Sequence, residues 1–209
     1  MRKIINHTLI LIMTITSIMY LVNNISIGAY SRILPCVAII PVILIPKMLN
    51  KLNFKLTDTE ETLYYLFIFI AHFLGAVVNC YDKIWFFDIL AHTLSGMLAF
   101  MFGIKLLKLN NKEIKLNIFN IIFLLSFCFL ISSGWEIIEF LGDCIFKSNF
   151  QHSIDTGVVD TMEDIICAFI GYIATMMVYI FNSKKILQKE SDVIGQERRN
   201  SSKIKTIVS

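Results

Sequence analysis

Charge is scarce in this chain and unevenly spread. Asp, Glu, Lys and Arg make up 17% of the 209 residues, against about 25% in an ordinary soluble domain. Proline is rarer still: Pro35, Pro41 and Pro46 are the only three, all within one stretch, so no proline-rich linker separates domains. The five cysteines include no closely spaced pair, which argues against a zinc knuckle or a disulfide framework. Most read as small apolar fillers, although a single bridge between Cys80 and Cys144 would suit the topology derived below. There is no glycine-rich phosphate loop and no internal repeat. A net charge of +3 is small, and no nucleic-acid partner is expected.

What is present in excess is apolar surface. Hydrophobic residues reach 56% and the mean hydropathy is +0.69. They are gathered into long runs, each near the ~20 residues that cross about 30 Å of hydrocarbon. The expected fold class is therefore all-α: a polytopic bundle with spans at about 4–22, 33–49, 61–80, 84–107, 116–143 and 159–181. The first run follows Met1-Arg2-Lys3 as a signal peptide would. It is longer than a usual signal core and lacks an A-x-A site, so an uncleaved span is expected. Pro41 predicts a kink in the second span. Thr57 with Glu60 three residues later predicts a capping box at the start of the third. Residues 1–182 form the transmembrane domain, and the polar, basic segment 183–209 reads as a disordered tail.

The basic residues orient the bundle. With the N-terminus in the cytoplasm, all of the 19 Lys and Arg fall on inner segments except Arg32, Lys83 and Lys147. The positive-inside rule then gives N-in and C-in. A multi-pass protein of the cell (cytoplasmic) membrane is the natural reading, with the lipid bilayer as its surroundings.

The acids collect at the opposite face. Asp88 and His92 are four apart on the fourth span, so they share a helical face one turn apart. Ser95 and Gly96 continue that stripe. Glu136, Glu139 and Asp143 are spaced three and four on the fifth span. Asp160 and Asp164 are four apart on the sixth, with Ala168 and Gly171 beyond them. Carboxylates at membrane depth cost about 2.5–3.5 kcal/mol each on insertion scales, so such groups face one another inside the bundle. Two solutions fit several carboxylates beside an imidazole: raised pKa values, or a bound divalent cation. The candidate metal ligands are Asp88, His92, Glu139, Asp160 and Asp164. The candidate catalytic groups are His92, Glu136, Glu139 and Asp164. Asp82, Asp143 and Asp155 read as solvated loop acids, Glu163 as an exposed first-turn acid, and His7 and His72 as structural histidines.

The segments D-I-L-A-H-T-L-S-G (88–96), W-E-I-I-E-F (135–140) and D-T-G-V-V-D-T-M-E-D-I (155–165) resemble the YjdF-like family of bacterial multi-pass membrane proteins of unknown function. More distantly they resemble the VanZ-like proteins, in which an Asp and a His open one span, a Glu lies in the next, and an Asp with a small-residue stripe begins the last. This chain has Glu139 where a VanZ-like Gln is expected, and no matching Arg between the last two spans. The resemblance implies a membrane location and supplies no activity.

Three functions are compatible with the residues. One is an enzyme or modifier, metal-dependent, acting at the outer leaflet on a lipid or lipid-linked envelope substrate. The second is a small proton- or ion-coupled transporter, and the third a structural or regulatory membrane protein.

Overall fold

The computed structural model describes residues 2–110, 117–146, 149–151 and 156–208, with side chains in the last segment to residue 183. His152 and Asp155 lie outside the described residues. Among the described residues the fold is all-helical with no strand. Helix α1 is Arg2–Ser26, α2 Ile33–Lys51 and α3 Asp58–Ile68, which continues as π-helical turns over Phe69–Val77. A four-residue helix α4, Cys80–Lys83, follows; then α5 Phe87–Asn110, α6 Ile118–Phe146 and α7 Val159–Val208. Six helices among the described residues are long and apolar enough to cross a membrane: α1, α2, Asp58–Val77, α5 over Phe87–Leu109, α6, and α7 over Val159–Ser183.

The span boundaries shift from the sequence expectation in one informative place. The fourth span does not begin at Ile84. The residues before Phe87 make α4 and a turn, because Asn79 takes a left-handed conformation (φ 69°) that ends the third span. Asparagine is one of the few non-glycine residues that tolerate it. The chain divides into two compact units, residues 1–172 and 173–209. In the second, α7 continues as helix to Val208, where an irregular tail was expected. That segment is rich in Lys, Gln and Glu, which are good helix formers.

The first three spans share a core of Met13, Cys36, Ile39, Ile43, Tyr64, Tyr65, Ile68, Phe73 and Val77. Two prolines lie inside α2, at Pro41 and Pro46. Pro46 has no N–H, so the Val42 carbonyl four residues earlier loses its helical donor. The Tyr64 hydroxyl donates to that carbonyl at 2.7 Å, and the Tyr65 hydroxyl donates to the next one, Ile43, at 3.3 Å. Thr57 caps α3 with the expected capping box: the Glu60 amide donates to the Thr57 hydroxyl and the Thr57 amide to the Glu60 carboxylate. Glu60 also pairs with Lys105 at 2.5 Å, tying the start of α3 to the far end of α5.

Helix α5 packs on α7 in backbone contact. A Cβ placed on Gly96 would fall on the Ala168 carbonyl, and one placed on Gly171 would fall on the Thr93 carbonyl. Small residues allow this approach, as in close crossings of membrane helices generally. One turn further along both helices stand His92 and Asp164.

Candidate metal centre

Helix α5 begins at Phe87, so Asp88 and His92 occupy its first two turns. Asp164 lies in the second turn of α7. The close crossing at Gly96 and Ala168 brings these turns together. His92 Nε2 is 3.3 Å from Asp88 Oδ1 and 3.6 Å from Asp164 Oδ2. One donor atom from each of Asp88, His92 and Asp164 lies within 4.8 Å of the others. His92 and Asp164 are buried, and the Asp88 side chain keeps 29% of its exposure. The centre is thus dry on one side and open on the other.

The spacing bears on two arrangements. A charge-assisted N–H···O bond closes to about 2.7–2.9 Å. Two ligands of a tetrahedral cation at about 2.1 Å bond length are about 3.4 Å apart. The observed 3.3 and 3.6 Å are compatible with an imidazolium between two carboxylates as well as with neighbouring ligands of a cation.

Glu136 reaches the same region from α6. Its residue exposure is 4%, and His92 and Asp88 are among its electrostatic neighbours. Thr161 and Gln151 come close enough to interact with its carboxylate, but neither closes a hydrogen bond of good geometry, and both oxygens are buried without a partner among the described residues. Instead the Gln151 side-chain amide donates to the Glu136 backbone carbonyl at 3.1 Å and to the Thr161 hydroxyl at 3.3 Å. It fastens α6 to α7 at this level. Asp143, expected as a solvated loop acid, lies instead in the last turn of α6 and accepts the amides of Phe150 and Gln151 at 2.7 and 3.0 Å, so it holds the segment that carries Gln151.

The sequence-predicted residues therefore separate. Asp88, His92 and Asp164 converge, each offering one atom that could ligate a cation. Glu136 adjoins them with a vacant pair of acceptor oxygens. Glu139 and Asp160 are close enough to interact with Asp164 but stand outside the ligand triad, and Glu139 accepts the Trp135 indole N–H at 2.9 Å. His72 belongs elsewhere: its Nε2–H donates to the Pro35 carbonyl at 2.9 Å. His7 bonds the Lys3 carbonyl of its own helix. Asp82, expected as a solvated loop acid, lies in α4 and pairs with Arg32 at 3.6 Å, while Glu163 is exposed as expected. All five cysteines are free thiols, so Cys80 and Cys144 are not bridged.

One neighbour was not legible in the sequence. Tyr81, on α4 between two spans, has Asp88, Glu139 and Asp164 as electrostatic neighbours. Burial, and then those three carboxylates, push its phenol above the ordinary range, so it is a neutral hydroxyl. In the sequence it is one aromatic among several between two spans, with no spacing that ties it to the acids.

Searches of curated proteins and of solved structures each found no match to this chain. A family model does match, over residues 5–185, and it covers every residue of the centre. The chain belongs to that family, described as "Predicted membrane protein (DUF2238)", the YjdF-like membrane proteins of unknown function.

Proposed function

We propose that this membrane protein is a divalent-cation-dependent enzyme whose centre is Asp88, His92 and Asp164, with Glu136 as the adjoining base. The observation that carries the reading is the convergence of three donor atoms within 4.8 Å beside a buried carboxylate that closes no hydrogen bond among the described residues. An isolated buried charge is strongly disfavoured; a cation beside it, or a substrate proton, gives it a counterpart. The donor set is one imidazole and two or three carboxylates, which suits Zn, Mn or Fe as well as Mg.

A cation held there would polarise a substrate oxygen and make bound water a nucleophile near neutral pH. The residues supply the rest. Asp88, His92 and Asp164 would hold the cation together. Glu136 is the group left to accept a proton, since its buried oxygens have only Thr161 and Gln151 nearby and no closed hydrogen bond among the described residues. Asp88, partly exposed, marks the side from which substrate enters.

The distribution of basic residues favours a topology in which this end of the bundle faces the outer leaflet. Head groups of lipids and lipid-linked envelope precursors lie at that depth, and they are the substrate class that the reading favours.

The test is cation binding by the purified, chelator-stripped protein in detergent. Mn(II), Zn(II), Co(II) and Mg(II) are titrated against wild type, His92→Ala and Asp164→Asn, with size-exclusion and thermal profiles to certify folding. About one tightly bound ion per chain, lost in folded variants, supports the centre. No binding of any of the four by folded wild type sinks the metal reading and leaves a cluster suited to binding protons, as in a proton-coupled carrier.

A further inference from the structure

Two residues between α6 and α7 lie back against the helices they join. Asp143 takes both of their backbone amides, Phe150 at 2.7 Å and Gln151 at 3.0 Å. The Phe150 ring rests on Gly142, where a Cβ would meet it at 3.2 Å. The Gln151 side chain runs on toward the centre. Its amide donates to the Glu136 carbonyl on α6 at 3.1 Å and to the Thr161 hydroxyl on α7 at 3.3 Å. Thr161 lies one turn before Asp164. Phe150 and Gln151 thus form a strap between the end of α6 and the start of α7.

Glu136 lies inward of this strap. Helix α6 runs on to Phe146, about 15 Å beyond it. Its side chain is buried, and both carboxylate oxygens are out of reach of solvent. Water arriving between these two helix ends meets Phe150 and Gln151 before it meets the carboxylate.

The approach past Asp88 is built differently. The Asp88 side chain keeps 29% of its exposure, and the residues around it in the chain are apolar and bare. Trp85 is 85% exposed, and Phe86, Ile89 and Leu90 are exposed too. The Trp85 and Phe86 rings meet edge to face, with centroids 5.5 Å apart. Leaving such side chains in water forgoes their burial. Ile89 and Leu90 belong to a candidate span, so acyl chains are their natural surroundings. An aromatic pair just before the span suits the head-group level, where indole rings are enriched.

We propose that the Phe150–Gln151 strap closes the centre to the aqueous phase, and that substrate enters laterally from the bilayer, past Asp88. The molecule received is one that resides in the membrane: its polar head reaches the acids while its apolar part stays beside the first turns of α5. A water-soluble substrate has no such path. This deepens the substrate reading above and rests on these acids being its site.

The experiment uses metal-free protein in phosphatidylcholine vesicles and two carboxyl reagents at one pH. Dicyclohexylcarbodiimide partitions into lipid; a quaternary carbodiimide stays in water and is brought to both faces by freeze–thaw. Modification of Glu136 is read by peptide mass spectrometry. In wild type the lipid-soluble reagent is expected to modify Glu136 and the water-confined reagent to spare it. Gln151→Ala removes both side-chain bonds of the strap. Modification by the water-confined reagent should then rise about tenfold, as when a local opening equilibrium loses two hydrogen bonds, with the lipid-soluble reaction unchanged. If the water-confined reagent modifies wild-type Glu136 as readily as the lipid-soluble one, or if neither modifies it, lateral entry is overturned, even should Gln151→Ala fail to fold. If folded Gln151→Ala still excludes the water-confined reagent, the strap is not the seal and the proposal falls. No cation takes part, so these outcomes are separate from those of the cation titration.

Discussion

Gly96 and Ala168 touch backbone to backbone, one helical turn from the point where His92 meets Asp164. The small-residue contact and the polar contact are successive turns of one crossing. The first sets the separation of α5 and α7, and the second uses it.

Gly96→Ala is therefore expected to destabilise the protein and to spread the centre. The added methyl falls on a carbonyl rather than on a flexible side chain, so the helices themselves must part. Overpacking costs typically 1–3 kcal/mol, occasionally more. A lower thermal midpoint in detergent together with weaker cation binding checks this; an unchanged midpoint would mean that α5 and α7 are not in contact there.

Glu136→Gln should move stability and function in opposite directions. The substitution keeps shape and removes a buried carboxylate that lacks a hydrogen-bond partner. The metal-free variant is expected to gain on the order of 1–3 kcal/mol, the scale of an unmet desolvation cost, and, on the proposed reading, to lose the base. Thermal unfolding of stripped wild type and variant reads the first part. A less stable variant would show that the carboxylate is satisfied after all.

Tyr64→Phe should leave the Val42 carbonyl without a donor and cost about 1–3 kcal/mol. The same change should cost much less beside Pro46→Ala, which restores the helical N–H. A double-mutant cycle on unfolding free energies checks it. Equal costs in the two backgrounds would detach the tyrosine from the proline.

Glu60 and Lys105 form a largely buried pair, with side-chain exposures of 22% and 14%. Removing one partner of a buried pair is strongly destabilising, by about 3–5 kcal/mol, whereas replacing both by apolar residues is often neutral. Glu60→Leu and Lys105→Met are each expected to lower the unfolding free energy by more than the double variant does. Glu60 also serves the capping box, so its single variant should be the worse of the two.

Much of the architecture was open to a reading of the sequence, because spans announce themselves by length and apolarity, and helical spacing puts Asp88 with His92 and Asp160 with Asp164. The stripe of Gly96, Ala168 and Gly171 was legible on the same ground. Which acids meet was not. Glu136 and Glu139 share a face by spacing, but only the fold shows that Trp135 engages Glu139 while Glu136 keeps free oxygens. The π-helical turns over Phe69–Val77 were hidden because a run of apolar residues looks the same at either pitch. Tyr81 was hidden because no helical spacing ties a residue of the short α4 to acids on other elements.

The tyrosine bonds to α2 bear on how the protein is made. A span that enters hydrocarbon must satisfy its own backbone, and α2, with Pro46, leaves the Val42 carbonyl to a hydroxyl on α3. Until the third span arrives, that carbonyl, at the middle of α2, lacks this donor. Insertion of the second and third spans is on that ground expected to be coupled, with α2 better satisfied as half of a pair.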